Sequence, residues 1–168
     1  MASTTYLTRF IYKTHSTGSS GSSGGDYNFA GTYNLMVAAK SAPAPVSPPN
    51  NVESTTFEDD AQTFEKGIKQ SSTKEVTGNL DKDKLSALDT LGDTKLDIMQ
   101  LYGTDGVGGV AKYAYVGTVT ATPSDASGID SILEMTVSII PNTAPKLVTD
   151  AYTVTANNDG TFTVAKKA

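Results

Sequence analysis

The chain has 168 residues, no cysteine and a formal net charge of −5. Its length suits one domain, and the absence of cysteine excludes a disulfide framework, a thiolate nucleophile and a cysteine-based metal site. An acidic chain is also a poor candidate for tight DNA binding, because phosphate contacts supply most of that affinity. No run approaches the roughly 20 apolar residues that a membrane-spanning helix needs, so we expect no contact with a membrane.

The first part of the chain predicts two strands with a loop between them. Residues 4–13 and 28–40 are rich in β-branched and aromatic side chains, which favour strands. The Ser/Gly tract at residues 16–25 has nothing to pack and predicts a flexible loop. In the second strand four aromatic or apolar residues, evenly spaced from Tyr33 onward, can lie on one face: Phe29, Tyr33, Leu35 and Val37.

Residues 41–62 form a long connection that is first rich in proline and then acidic. Proline has no N–H and fixes φ, so the first half of this segment cannot lie inside a sheet or a helix. A connection of this length is uncommon in a compact domain unless it has a function. The carboxylates lack the pattern of a calcium-binding loop, which favours a solvated face or one that contacts another subunit.

A strand pair and one helix are predicted next. Residues 63–70 and 73–80 alternate and are plausible partners across a short turn. Asp81 is a good N-cap, and Gly92 is a typical stop. Between them an apolar stripe at three-residue spacing predicts a helix of about ten residues, which packs through Leu85, Leu88 and Leu91.

The last part of the chain predicts further strands, at residues 95–102 and 112–122, and then the clearest half-buried strand, at residues 129–140. Alternation in that last strand predicts a core face formed by Leu133, Met135, Val137 and Ile139. The sequence Asn-Asn-Asp-Gly at residues 157–160 is a strong hairpin signal.

The domain organisation and fold class follow from this order of elements. Residues 1–150 are predicted to form one β domain, and residues 151–168 a C-terminal β-hairpin extension. The fold class is mainly β, a sandwich or barrel of antiparallel strands with one short flanking α-helix.

Two motifs resemble catalytic or cofactor sites but lack their structural context. Residues 21–25 match G-x-S-x-G, yet a nucleophile elbow needs a following helix and a histidine partner, for which His15 alone is available. Residues 106–111 loosely fit G-x-G-x-x-A, but a strand rather than a helix follows. A single histidine cannot build a transition-metal site. We therefore predict no enzyme, no cofactor and no metal site.

Two stretches carry a resemblance to a known family. They are VTGNLDKDKLSALDTLGDTKLDIMQLYG at residues 76–103 and YAYVGTVTATPSDASGIDSILEMTVSIIPNTAP at residues 113–145. A strand that leads into a short helix, then an aromatic-x-G-x-V pattern, a loop and a strand ending near proline, resembles the tail tube proteins of long-tailed, siphovirus-type bacteriophages. The resemblance covers about residues 45–147.

The resemblance implies a structural virion protein of the phage tail, assembled in the host cytoplasm. Six subunits would join their sheets into a ring, and rings would stack into a tube that conducts DNA during ejection. The implied partners are further copies of the chain and the tape-measure, tail-terminator or tail-tip proteins. DNA would pass without tight binding, since an acidic lumen repels phosphate.

Within such an assembly, the connection at residues 41–62 is the natural candidate for bridging subunits, because it has little to bury on its own domain. Its candidate contact residues are Pro43, Pro45, Pro48, Pro49, Glu53, Phe57, Glu58, Asp59 and Asp60.

A β-sandwich adhesion or carbohydrate-binding module is the alternative. The strands are rich in Ser and Thr, and Tyr102, Tyr113 and Tyr115 are candidates for a stacking platform. The same tyrosines also suit ordinary cross-strand packing, which the scarcity of nearby basic residues favours. Oligomerisation separates the two functions, because a binding module stays small whereas a tube protein forms rings or filaments.

Overall fold

The computed structural model describes residues 6–16, 27–68, 71–126 and 128–168. Apart from Ser16, the Ser/Gly tract at residues 16–25 lies outside the described residues, as does the G-x-S-x-G match at residues 21–25. The described part of the chain contains, in order, β1 (Arg9–Thr14), β2 (Gly31–Val37), β3 (Asn51–Glu53), β4 (Phe64–Lys66), β5 (Lys74–Asn79), α1 (Lys82–Leu91), β6 (Leu96–Tyr102), β7 (Ala111–Pro123), β8 (Glu134–Pro141), β9 (Lys146–Leu147), β10 (Tyr152–Ala156) and β11 (Thr161–Lys166).

Most strands belong to one antiparallel sheet, which confirms the predicted mainly β fold with one short helix. The strand order is β10-β11-β2-β1-β6-β7-β8-β5, and β9 pairs with β7. The chain just after β2 returns to β5, where Ala39 forms a bridge with Gly78 and the Lys40 N–H donates to the Thr77 carbonyl oxygen at 2.7 Å. The strands from β2 to β5 therefore close into a barrel, which covers the β5 end of the sheet and leaves β10 at its other end.

The interior of the barrel is the main core, and α1 packs against it. Leu88 is buried there, while Leu85 and Leu91 are half-buried against the same cluster. Asp81 caps the helix, since its carboxylate accepts from the backbone N–H groups of the first turn. The buried side chains of this core are Phe10, Tyr12, Met36, Val37, Val76, Leu88, Leu96, Ile98, Tyr115, Val119, Ala121, Met135, Val137 and Ile139.

A second core lies on the outer face of β1, β2, β6 and β7, under the hairpin of β10 and β11. Thr161 of β11 pairs with Asn34 of β2, so the hairpin at residues 151–168 continues the sheet of the barrel. The buried side chains of this outer core are Ile11, Phe29, Tyr33, Met99, Leu101, Ala114, Val116, Val148, Tyr152, Val154, Phe162 and Val164.

A β-bulge in β2 divides that strand between the two cores. Phe10 of β1 pairs with Val37, but the next residue, Ile11, pairs with Leu35, so Met36 is an extra residue in β2. Tyr33 and Leu35 contact the outer core, whereas Met36 and Val37 lie in the barrel. The prediction that Tyr33, Leu35 and Val37 share one face is wrong, because the extra residue reverses the alternation.

Strand β8 carries three of the four predicted core residues inward. Met135, Val137 and Ile139 are fully buried, whereas Leu133 is 56% exposed. The prediction for Leu133 is wrong because β8 begins only at Glu134, and Met135 already pairs with Pro123, the last residue of β7. No β7 residue is left to cover Leu133.

The predicted pairing of residues 63–70 with residues 73–80 is also wrong. β4 pairs with β3, and β5 pairs with β8, where Val76 lies opposite Val137. Val76 completes the barrel core, so β5 gains more buried apolar surface beside β8 than it would beside the exposed β4.

Candidate assembly interface

The segment from residue 41 to residue 68, called the arm below, leaves the barrel beside β5. Its first residues are held by hydrogen bonds to the barrel: the Tyr102 hydroxyl donates to the Pro43 carbonyl oxygen at 3.2 Å, and the Lys74 ammonium donates to the Ala44 carbonyl oxygen at 2.9 Å. Pro43, Pro45 and Pro49 are half-buried, whereas Pro48 is exposed. The proline-rich residues 41–49, called the root below, therefore form an extended strip lying on the barrel, as fixed φ angles favour.

Beyond the root, the arm is a β-hairpin rather than a structureless connection. Val52 of β3 lies opposite Glu65 of β4, and the Gly67 N–H donates to the Asn50 carbonyl oxygen at 2.7 Å. Every residue of both strands is exposed. A two-stranded hairpin without a covering layer is only marginally stable in water, so contact with another surface would stabilise it.

The tip of the arm is a tight turn held by Asp59. The Asp59 carboxylate accepts from the Thr56 backbone N–H at 2.6 Å and from the Thr56 hydroxyl at 2.9 Å. These bonds to Thr56 lower the pKa of Asp59, because they stabilise its charged form. Phe57 and Glu58 lie at the apex between the two bonded residues.

Apolar side chains along the arm face solvent. Phe57 is completely exposed at 110%, and Ile68 is 88% exposed. Val52 and Phe64 in the two strands are each more than half exposed. An exposed apolar series of this kind, rimmed by charge, is typical of a protein-interaction surface rather than of a solvated loop.

The same segment is strongly acidic. Five exposed carboxylates accompany the apolar side chains: Glu53, Glu58, Asp59, Asp60 and Glu65. Like charges repel, so a pair of arm tips facing one another is unfavourable, and a basic surface is the complementary partner. A surface that binds the arm is therefore expected to be basic as well as apolar.

The loop between β7 and β8 forms a second exposed apolar surface, which the sequence reasoning placed inside a strand. Ile129 is 100% exposed and Ile132 is 70% exposed. The signal for a loop was present, since Pro123, Ser124, Asp125 and Gly128 are all turn residues. The loop lies at the far end of a long β-hairpin and bears no charge complementary to the arm.

The polar clusters of the described residues have structural explanations. The Asp105 carboxylate accepts from the N–H groups of Val107 and Gly109 at 3.1 Å, and the loop leads into strand β7, as expected of a hairpin loop. Buried Asp97 pairs with Lys13 at 3.1 Å and His15 at 2.6 Å. Within the described ranges, no group of three or more metal-binding side chains is present.

The three tyrosines considered for a stacking platform are used in packing. Tyr115 is fully buried in the barrel. Tyr102 and Tyr113 are half-buried and meet edge to face with ring centroids 6.3 Å apart. The Tyr102 hydroxyl is engaged by the arm root. Their faces therefore do not form one open surface for a sugar ring.

Comparison with known proteins identifies no relative: no family model matches the chain, and no curated protein matches it in sequence. Among the described residues, there is no helix that is long and apolar enough to cross a membrane. The surface features of the chain are therefore the basis for its proposed function.

Proposed function

We propose that the chain is a structural subunit that assembles with copies of itself into rings, and that the rings stack into a tube of the phage-tail type. The arm, with fully exposed Phe57 at a hydrogen-bonded tip, is the observation that carries this proposal. The hairpin of the arm is ordered although both of its strands are exposed, and contact with another subunit would stabilise it.

The sheet offers a second means of association. Strand β10 is at the end of the strand order, so one side of it can pair with a strand from another subunit. Edge pairing within a ring and arm contacts between rings are two different interfaces on one subunit. A head-to-tail contact that does not close propagates as a filament, which a tube requires.

The proposed ring has six subunits and the tube conducts DNA, both by the resemblance to tail tube proteins. The chain has 13 lysine and arginine residues against 18 aspartate and glutamate residues, so the subunit is acidic. An acidic subunit suits a conduit through which a polyanion slides without being held. Tape-measure, tail-terminator and tail-tip proteins are the proposed partners at the ends of the tube.

Electron microscopy of the purified chain at high concentration tests assembly directly, with size-exclusion chromatography over a concentration series beside it. We expect six-fold rings or tubes, and species larger than the monomer that grow with concentration. A chain that stays monomeric at every concentration, with no rings or tubes on the grids, contradicts the proposal and favours a binding module.

Deletion of the hairpin tests the role of the arm. Asn50 and Gly67 are joined by a backbone hydrogen bond, so residues 51–66 can be replaced by a two-residue Asn-Gly turn without disturbing the root. We expect a folded barrel with an unchanged near-ultraviolet circular dichroism spectrum and no tubes. The matched control is Ala61→Ser in the same hairpin, at an exposed position, and it should leave tube formation unchanged. Tubes formed by the deletion variant would remove the bridging role.

A further inference from the structure

A small aromatic pocket lies between the C-terminal hairpin and the chain before β2. It has a volume of about 210 Å³ and is lined by the apolar side chains of Tyr27, Phe29, Leu147, Val148 and Tyr152. Pockets for drug-sized ligands begin at about 300 Å³. The pocket is therefore too small for such a ligand and fits a single large side chain.

The pocket is held rigid by its own contacts. Phe29 and Tyr152 meet edge to face at 6.1 Å, and the Phe29 N–H donates to the Tyr152 hydroxyl at 3.3 Å. That hydroxyl donates to the Tyr27 carbonyl oxygen, also at 3.3 Å. Because Phe29 and Tyr152 are already held in place, the pocket loses little conformational freedom when a side chain enters it.

The rim of the pocket is basic. Lys146 and Lys166 line it, and both residues are exposed. An apolar cavity between two ammonium groups selects an aromatic or aliphatic side chain that is accompanied by carboxylates.

We propose that this pocket receives the arm tip of a second copy of the chain, with Phe57 in the cavity and Glu58 and Asp60 beside the two lysines. The inference rests on the proposed function and deepens it, since it names the surface on which the arm docks. Phe57 is the most exposed large apolar side chain of the arm, and three carboxylates follow it directly.

The geometry of the tip supports this pairing. The bonds between Asp59 and Thr56 fix the turn, so Phe57 is presented at its apex before docking. An aromatic anchor that fills a pocket and is ringed by polar contacts is the usual form of an interaction hot spot. Asp59 is occupied within the turn, which leaves Glu58 and Asp60 for the lysines.

The partner is another chain because the root fixes the arm elsewhere. Over the described residues, the hydrogen bonds from the root to its own barrel reach Ser72, β5 and Tyr102, and none involves a residue of the pocket. Each copy then carries one arm and one pocket, which is the head-to-tail arrangement that propagates.

Cross-linking between different chains tests the contact, since the chain has no cysteine of its own. A Glu58→Cys chain, which keeps Phe57, is mixed with an Ala151→Cys chain of different mass, and the pair is oxidised under assembly conditions; Ala151 is exposed and lines the pocket. The matched control pairs Ala151→Cys with Ile129→Cys, an exposed residue outside the arm. We expect at least about tenfold more mixed disulfide from the first pair, because docking raises the local thiol concentration.

Charge exchange tests the basic rim. Lys146→Glu together with Lys166→Glu should reduce assembly, measured by sedimentation, and Glu58→Lys with Asp60→Lys in the same chain should restore it, because attraction across the contact returns with reversed sign. Asp59 is left in place so that the turn persists. Failure of the exchanged chain to recover, although both chains are folded by circular dichroism, would contradict the proposed rim contact.

The outcomes separate this inference from the proposed function. Tubes of the unaltered chain with no cross-link above the Ile129→Cys control overturn the pocket and leave the tube. A chain that forms no assembly of any kind overturns both. A cross-link between Glu58→Cys and Ala151→Cys that forms only within a chain carrying both cysteines places the arm on its own pocket and also overturns the inference.

Discussion

The ammonium group of Lys74, only 3% exposed, donates a hydrogen bond to the Ala44 carbonyl oxygen at 2.9 Å. This contact joins the first residue of β5 to the root of the arm across the surface of the barrel. Burial lowers the pKa of Lys74, because the charged form loses solvation there. The barrel thus contributes a buried cation to fixing the direction in which the arm leaves.

Lys74→Met should release the arm root without weakening the barrel. Methionine keeps the unbranched shape and removes a desolvated charge, so we expect the free energy of unfolding to change by less than about 1 kcal/mol. In the proposed tube, assembly should fall, because the arm loses one of the hydrogen bonds that fix its origin. Urea unfolding and sedimentation measure the two effects. Lys82→Met, at an exposed position of α1, is the control and should alter neither.

Val137→Asp and Leu133→Asp should differ sharply although both residues belong to the same alternating pattern. Val137 is fully buried, and an unpaired carboxylate there should cost more than about 3 kcal/mol of unfolding free energy. Leu133 is 56% exposed, so its substitution should stay within about 0.5 kcal/mol. Thermal and urea unfolding compare the two. A folded Val137→Asp chain of normal stability would refute the described barrel interior.

Gly78→Ala should weaken the closure of the barrel. A Cβ at this position would meet the Ala38 carbonyl oxygen and the Val37 side chain at 2.5 Å, so β5 and the chain after β2 would have to separate. We expect a loss of about 1–3 kcal/mol in urea unfolding. Asn79→Ala, at the adjacent exposed position, is the control. Equal stability of the two variants would mean that the Ala39–Gly78 bridge does not hold the barrel closed.

The protein should lose stability at alkaline pH through its buried tyrosines. Burial raises the pKa of Tyr33 and Tyr115 well above 10, so both stay neutral in the folded state while they ionise in the unfolded chain. Their stabilisation is fully present below pH 10 and is lost as the pH rises above it, by up to about 1.4 kcal/mol per pH unit for each group.

Tyr115→Phe isolates one of these groups. Loss of the hydrogen bond from the Gln100 side-chain amide lowers stability equally at every pH, whereas the ionisation changes only the slope. Urea unfolding between pH 9 and pH 11 should therefore give a shallower decline for Tyr115→Phe than for the unaltered chain. Parallel declines would show that Tyr115 ionises in the folded state.

Local patterns predicted the elements whose formation depends on neighbouring residues. The cap at Asp81, the apolar stripe ending at Leu91 and the stop at Gly92 lie within one stretch, and α1 has these bounds. The alternation that predicted burial of Met135, Val137 and Ile139 likewise needs only one strand. The Asn-Asn-Asp-Gly turn at residues 157–160 connects β10 to β11 in the same way.

Features that depend on distant partners could not be predicted from the sequence. The bulge at Met36 is a feature of the pairing between two strands: Phe10 of β1 pairs with Val37, and the next residue, Ile11, pairs with Leu35. No local pattern in the sequence of β2 predicts this change of register. Strand β5 pairs with β8, and this pairing buries Val76 opposite Val137. The candidate interface was recognised by composition, but its β-hairpin and the bonded turn that presents Phe57 were not.

Because β2 pairs with β11, the two cores of the subunit cannot form at the same stage of synthesis. The barrel needs strands only as far as β8, which ends at Pro141. The outer core must wait for the last hairpin, since the Phe29 N–H meets the Tyr152 hydroxyl 123 positions later. Contacts between residues so distant in sequence form slowly. A pocket built from Tyr27, Tyr152 and Lys166 therefore forms only after β11 has been made, so in the proposed assembly a subunit without its last hairpin could not receive an arm.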